Sequence, residues 1–135
     1  MTEPAKRRIL IVDDEMTVCR SIRKALLSDA LEIDTAISGE EALRKEDEKE
    51  YDVIVVDLMM PGQSGLDLLK SLKAKNFSAQ VIMITGYPTM KTTVQSMQMG
   101  AFDYLPKPFL PTELRSMVAR AIEKADRVRN EGGDS

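Results

Sequence analysis

Five short apolar runs, Ile9–Val12, Leu31–Ile37, Val53–Val56, Val81–Ile84 and Phe102–Leu105, punctuate the chain, and a stretch of helical spacing follows each of them. Val18/Cys19, Ile22 and Ala25/Leu26 form one such stripe, and Leu66, Leu69 and Leu72 another. Met90, Val94 and Met97 make a third, and Leu114, Met117/Val118, Ala121/Ile122 and Ala125 a fourth. Apolar residues three and four apart share one face of a helix, so each stripe needs a surface to cover it. Strand and helix in strict alternation build an α/β domain with a parallel sheet. Ile9–Val12, Val53–Val56 and Val81–Ile84 are unbroken apolar runs, as expected of strands covered on both faces. Leu31–Ile37 is interrupted by Glu32, Asp34 and Thr35, and Phe102–Leu105 by Asp103, which suits sheet edges. Three central and two edge strands predict a doubly wound, five-stranded parallel sheet of order 2-1-3-4-5, a flavodoxin-like (βα)5 fold.

Helix starts are signposted as well. Ser38-Gly39-Glu40-Glu41 and Ser64-Gly65-Leu66-Asp67 both read as capping boxes, and Pro111 suits a first helical turn. From Asp126 to Ser135 the chain turns polar and Gly-rich, which predicts a frayed end. The expected division is one domain over residues 1–127, with 128–135 a polar tail or the start of a linker.

Composition narrows the chemistry. The 135 residues include no histidine, no tryptophan and one cysteine, Cys19. Ser-His-Asp hydrolysis, imidazole acid–base work and histidine metal sites are excluded, and so are an internal disulfide and a structural zinc site. Cys19 lies among apolar helical positions and reads as a buried structural thiol. Lys and Arg total 19 against 22 Asp and Glu, a net charge of −3, which argues against nucleic acid as a direct ligand. Lys6-Arg7-Arg8 reads as a solvated lead-in to the first strand. No apolar run approaches the roughly 18 residues of a membrane span, and Met1-Thr2-Glu3-Pro4 lacks a signal-peptide stretch. A cytoplasmic location without membrane partners is the expectation.

In open α/β sheets, ligands bind beyond the carboxyl ends of the strands, where the strand order reverses. The residues just past these ends are Asp13 and Asp14, Asp57, Thr85 and Lys107 after the first, third, fourth and fifth strands. Each has an ordinary reading alone. The acids at 13 and 14 could favour a helix N-terminus, Asp57 a turn, Thr85 a strand end and Lys107 the surface. Together they place three carboxylates at one switch point. Such a cluster must raise a pKa or recruit a cation, and an all-oxygen donor set suits hard Mg²⁺, with Mn²⁺ a substitute. Metal and lysine together would neutralise a phosphoryl group in transfer, with Asp57 as nucleophile and Thr85 bonded to a phosphoryl oxygen.

Ile9-Leu10-Ile11-Val12-Asp13-Asp14-Glu15, Val55-Val56-Asp57-Leu58-Met59-Met60-Pro61-Gly62 and Leu105-Pro106-Lys107-Pro108-Phe109 resemble the motifs of two-component response-regulator receiver domains. Residues from Gly100 to Phe109 look most similar to receivers of NtrC-type transcriptional activators. The resemblance implies that Asp57 accepts a phosphoryl group from the phosphohistidine of a sensor histidine kinase, or from a small acyl phosphate. It implies that Asp14, Asp57 and the Met59 carbonyl ligate Mg²⁺ directly, with Asp13 acting through water. Lys107 would contact the phosphoryl group, and the Lys107–Pro108 bond would be cis. Thr85 would move toward the phosphate and Tyr104 would turn into the space it leaves, a population shift between two packings. Met59 and Tyr87 occupy the positions that tune phosphoryl lifetime, and neither orients an attacking water well, so a persistent phosphoryl group is expected. The Met90–Ala125 face would meet an output domain or target protein, or support a phosphorylation-dependent homodimer.

A phospho-acceptor switch that acts only on itself is therefore the leading reading. The alternative is an Mg²⁺-dependent phosphohydrolase turning over through an aspartyl phosphate. Such an enzyme typically needs a second acid beside the nucleophile and a cap, where this chain has Met59 and no long insertion. A flavin-binding module of the same fold would need a phosphate loop where Asp13-Asp14-Glu15 stands.

Overall fold

The computed structural model describes residues 6–62, 64–76 and 78–133. Strands β1 (Arg7–Val12), β2 (Leu31–Ala36), β3 (Val53–Asp57), β4 (Gln80–Thr85) and β5 (Asp103–Pro106) form one parallel sheet in the order 2-1-3-4-5. Helices α1 (Met16–Leu26), α2 (Gly39–Glu48), α3 (Gly65–Lys75), α4 (Met90–Gln98) and α5 (Pro111–Gly133) connect and follow them. Side chains alternate across a strand, so each central strand feeds two cores. Leu10, Val12, Ile54, Val56, Val81 and Met83 meet Ala42 of α2 and Leu68, Leu69 and Leu72 of α3. Ile9, Ile11, Val53, Val55, Ile82 and Ile84 meet Cys19, Ile22 and Leu26 of α1 and Leu114, Val118 and Ala121 of α5. Burial of both faces explains the unbroken apolar runs Ile9–Val12, Val53–Val56 and Val81–Ile84.

Local signals act where the sequence places them. The Ser38 hydroxyl accepts from Glu41 N, and the Glu41 carboxylate reaches back to Ile37 N at 3.1 Å. Ser64 accepts from Asp67 N at 3.2 Å. The reciprocal capping box is formed at α4, where Thr89 Oγ1 accepts from Thr92 N and Thr92 Oγ1 accepts from Thr89 N.

Two expectations need correction. Met90, Val94 and Met97, spaced as a core stripe, lie on the outer face of α4, with Met90 84% exposed. Ser96 is the buried residue of that helix. The spacing finds one face of a helix, but the sheet has no further layer to cover it. The polar end from Asp126 is helical through Gly133, not frayed. Its last fully buried residue is Ala125, and ion pairs continue the docking: Arg7 to Asp126 at 3.0 Å and Arg129 to Asp52 at 2.7 Å. The reading of Met1–Pro4 and the tail residues 134–135 lie outside the described residues. Among the described residues no helix is long and apolar enough to cross a membrane.

Candidate functional site

The ends of β1, β3, β4 and β5 bring Asp13, Asp14, Asp57, Thr85 and Lys107 to one edge of the sheet. Register does this directly: Val12 pairs with Val56, Asp57 with Ile84 and Thr85 with Pro106, so each following residue emerges at the same level. Carboxylate oxygens of Asp13, Asp14 and Asp57 all lie within 4.8 Å of one another. Asp13 and Asp57 are buried and Asp14 is exposed, which leaves the cluster open on one side. The Lys107 Nζ stands 3.3 Å from Asp57 Oδ2 and 3.5 Å from Asp13 Oδ2. The Lys107–Pro108 peptide is cis.

Backbone donors set the carboxylates. Glu15 N donates to Asp13 Oδ1 and Met59 N to Asp57 Oδ1, each at 2.9 Å. Burial pushes the Asp13 carboxyl up to about 6; the Glu15 N–H and Lys107 oppose this, and the Asp57 charge adds to it. Burial alone would pull Lys107 down, but the charges of Asp57 and Asp13 outweigh it and raise its pKa. Among the described residues one ammonium, Lys107, pairs with two of the three clustered acids. The donor set fits a hard divalent cation: oxygen only, clustered, and short of positive charge.

Thr85 is fully buried, and its Oγ1 accepts from Tyr87 N at 3.1 Å. Met59 and Tyr87, two residues past Asp57 and Thr85, are 58% and 76% exposed, so neither side chain closes the site. Tyr104 is half-buried, with its hydroxyl 3.1 Å from Thr92 Oγ1.

Three supporting residues were not singled out from the sequence as parts of the site. A Cβ on Gly65 would stand 2.6 Å from Leu58 Cα and 2.7 Å from Asp57 O, so only glycine lets α3 start this close to the acidic strand end. Its presence in a capping box hid this second duty. The buried Cys19 thiol donates to Asp13 O at 3.4 Å, and burial pushes its pKa up to about 11. Thr92 was visible only as a helix-surface hydroxyl. Beside the acids, Lys107 also lines an apolar groove of about 450 Å³ walled by Val18, Ile22, Ala25 and Phe109.

The family model for the response regulator receiver domain matches residues 9–119. The chain is 35% identical over 125 residues to the transcriptional regulatory protein ResD of Bacillus subtilis, covering 93% of this chain and 52% of that protein. It is 40% identical over 112 residues to the DNA-binding transcriptional regulator NtrC of Klebsiella pneumoniae, covering 83% of this chain and 24% of that one. The chain thus spans between a quarter and about half the length of these curated relatives. A response regulator receiver domain protein from Clostridium thermocellum superposes with a TM-score of 0.84 at 34% identity, over 90% of this chain and 98% of that one. A CheY-like receiver domain protein from Methanospirillum hungatei gives 0.86 at 27% identity, over 91% and 98%.

Proposed function

Because the chain belongs to the response regulator receiver domain family, we propose that it is the phospho-acceptor switch of a two-component system, with Asp57 as the acceptor. The observation that carries this is the juxtaposition of Lys107 with Asp57 inside a cluster of three carboxylates. An Asp57 oxygen attacks phosphorus, the P–O bond forms, and the bond from phosphorus to the donor breaks. With a phosphohistidine donor the electron pair goes to the imidazole nitrogen, which takes a proton from solvent.

Asp13, Asp14, Asp57 and the Met59 carbonyl are the groups that would hold Mg²⁺, or Mn²⁺ in its place. When bound, such a cation supplies charge neutralisation for the phosphoryl oxygens. Lys107 does the same from the other side and keeps the phosphoryl group over Asp57. Thr85 gives up Tyr87 N and turns its hydroxyl to a phosphoryl oxygen, and Tyr104 follows. The donor is a cytoplasmic sensor histidine kinase or a small acyl phosphate. These 135 residues hold no histidine, so a phosphohistidine donor must come from outside them. The apolar groove that shares Lys107 with the acids is where that donor protein would rest. The outward face from Met90 to Ala125 is the surface offered to an output domain, a target or a second copy. Without an acid or amide at Met59 or Tyr87, hydrolysis has no side chain to orient water, and the phosphoryl group persists.

Incubation with Mg²⁺ and acetyl phosphate, followed by intact-mass measurement, tests this reading. The parent protein should gain one phosphoryl mass that outlasts removal of the donor by minutes, and Asp57→Ala should gain none. Label retained by Asp57→Ala would overturn the assignment, and continuous phosphate release would favour a phosphohydrolase. A half-life of seconds would reject the persistence argued from Met59 and Tyr87.

A further inference from the structure

Among the methionines of this chain, one stands in the acidic site itself. Met16, Met59, Met90 and Met97 are exposed, while Met60, Met83 and Met117 are buried in the two cores. Met16, Met90 and Met97 belong to α1 and α4. Met59 lies instead on the loop between β3 and α3, two residues past Asp57, and its backbone N–H donates to Asp57 Oδ1 at 2.9 Å. That bond fixes where the side chain starts, and more than half of the residue is open to solvent. A thioether is a weak hydrogen-bond acceptor. Oxidation to the sulfoxide turns it into a polar group with an accepting oxygen on a side chain of nearly the same length. A peroxide supplies that oxygen: its O–O bond breaks, one oxygen bonds to Sδ, and with hydrogen peroxide the other leaves as water. Sulfur loses two electrons and the peroxide gains them. Cys19, whose thiol meets Asp13 O, is fully buried and shielded from the same reagent.

We propose that Met59 is an oxidation site at which a peroxide shortens the life of the phosphoryl group on Asp57. The proposal rests on the phospho-acceptor reading and names a regulation of that site. Hydrolysis needs a water in line with the bond from phosphorus to Asp57. The water oxygen bonds to phosphorus, the P–O bond to Asp57 breaks and returns its electron pair to the carboxylate, and a water proton passes to solvent. With Met59 reduced, no acid or amide at residues 59 or 87 orients that water. The sulfoxide oxygen accepts a hydrogen bond from it and aims its lone pair at phosphorus. The effect stays local because the side chain is exposed. Oxidation of Met60, Met83 or Met117 would instead put a polar group into a packed core.

The test treats the parent with hydrogen peroxide, locates the sulfoxides by peptide mass, and then labels the protein with acetyl phosphate and Mg²⁺. After removal of the donor, intact mass follows loss of the phosphoryl group. With Met59 oxidised, the half-life should be about two- to tenfold shorter, the range of one hydrogen bond. Methionine sulfoxide reductase should restore it. Met59→Leu cannot form a sulfoxide and should show one half-life with or without peroxide, although Met16, Met90 and Met97 still oxidise. Met59→Gln carries an amide there and should show a short half-life without peroxide. An unchanged half-life in the oxidised parent, or the same shortening in peroxide-treated Met59→Leu, overturns the proposal and leaves the acceptor reading standing. So does a Met59 that stays reduced while Met90 oxidises. A parent that never gains label on Asp57 overturns the acceptor reading itself, and the proposal falls with it.

Discussion

Glu46 lies four residues after Ala42 on α2 and is only 7% exposed, and its Oε2 has no hydrogen-bond partner among the described residues. Burial raises its pKa above the usual glutamate value of 4.5; the Asn76 amide and the Tyr51 N–H oppose this, and Glu50 adds to it. The sign follows from the raised value. Glu46 favours folding fully below its unfolded pKa, and that contribution is lost as pH rises through the folded one. Glu46→Gln keeps the shape and cannot ionise. Its melting temperature should exceed that of the parent at pH 8, and the gap should shrink as pH falls and close below 4.5, the ordinary value. Parallel melts across that range check it, and a constant gap would refute it. The spacing from Ala42 marks position 46 as inward, but a charged side chain in the run Glu46-Asp47-Glu48 reads as solvated face. Gly65 was obscure for a similar reason. A missing side chain gives no sign of the backbone that approaches it until α3 is placed against Leu58.

Among the helices, α5 shows where periodicity stops being informative. Its 23 residues extend ~34 Å at 1.5 Å each, against ~20 Å for a strand of ordinary length. The excess is held by polar contacts across the sheet. Asp52, buried at the start of β3, accepts from Arg129 at 2.7 Å and from Arg8 N at 2.8 Å. Arg129→Gln removes a half-exposed partner and should cost about 0.5–1 kcal/mol, with amide protection lost beyond Ala125. Asp52→Ala also strips the Arg8 amide of its acceptor and should cost more, about 1–3 kcal/mol. Urea titrations with amide exchange over 126–133 measure both, and equal costs would reject this division. These partners stand 77 and 119 residues apart in sequence. A window-based reading of Asp126–Ser135 sees only polar residues and glycine, whereas strand order and strand-end acids follow from local runs and were legible.

At the scale of the whole molecule, the parallel sheet gathers the strand-end acids at one edge, and Lys107 is their cation there. The fold thereby keeps a local excess of negative charge that a net charge of −3 does not reveal. Distances and burial, which turn three strand-end acids into one cluster, come only from the packed sheet. Without metal, Asp13 is held at a pKa of about 6, against 3.8 ordinarily. Its contribution to stability is complete below about 3.8 and is lost as pH rises through about 6. A divalent cation held by the ionised cluster would compete with protons for the same oxygens. The rise in melting temperature caused by Mg²⁺ should therefore be small at pH 5.5 and large at pH 7.5. At a hundredfold excess over the dissociation constant the added stability at pH 7.5 should approach about 2.7 kcal/mol. Asp13→Asn/Asp14→Asn should abolish the rise at either pH while leaving the sheet folded. A shift independent of pH, or one that survives the double substitution, would place the cation elsewhere on the surface. Loss of the shift with the fold intact would tie metal, proton and phosphoryl chemistry to the same three carboxylates.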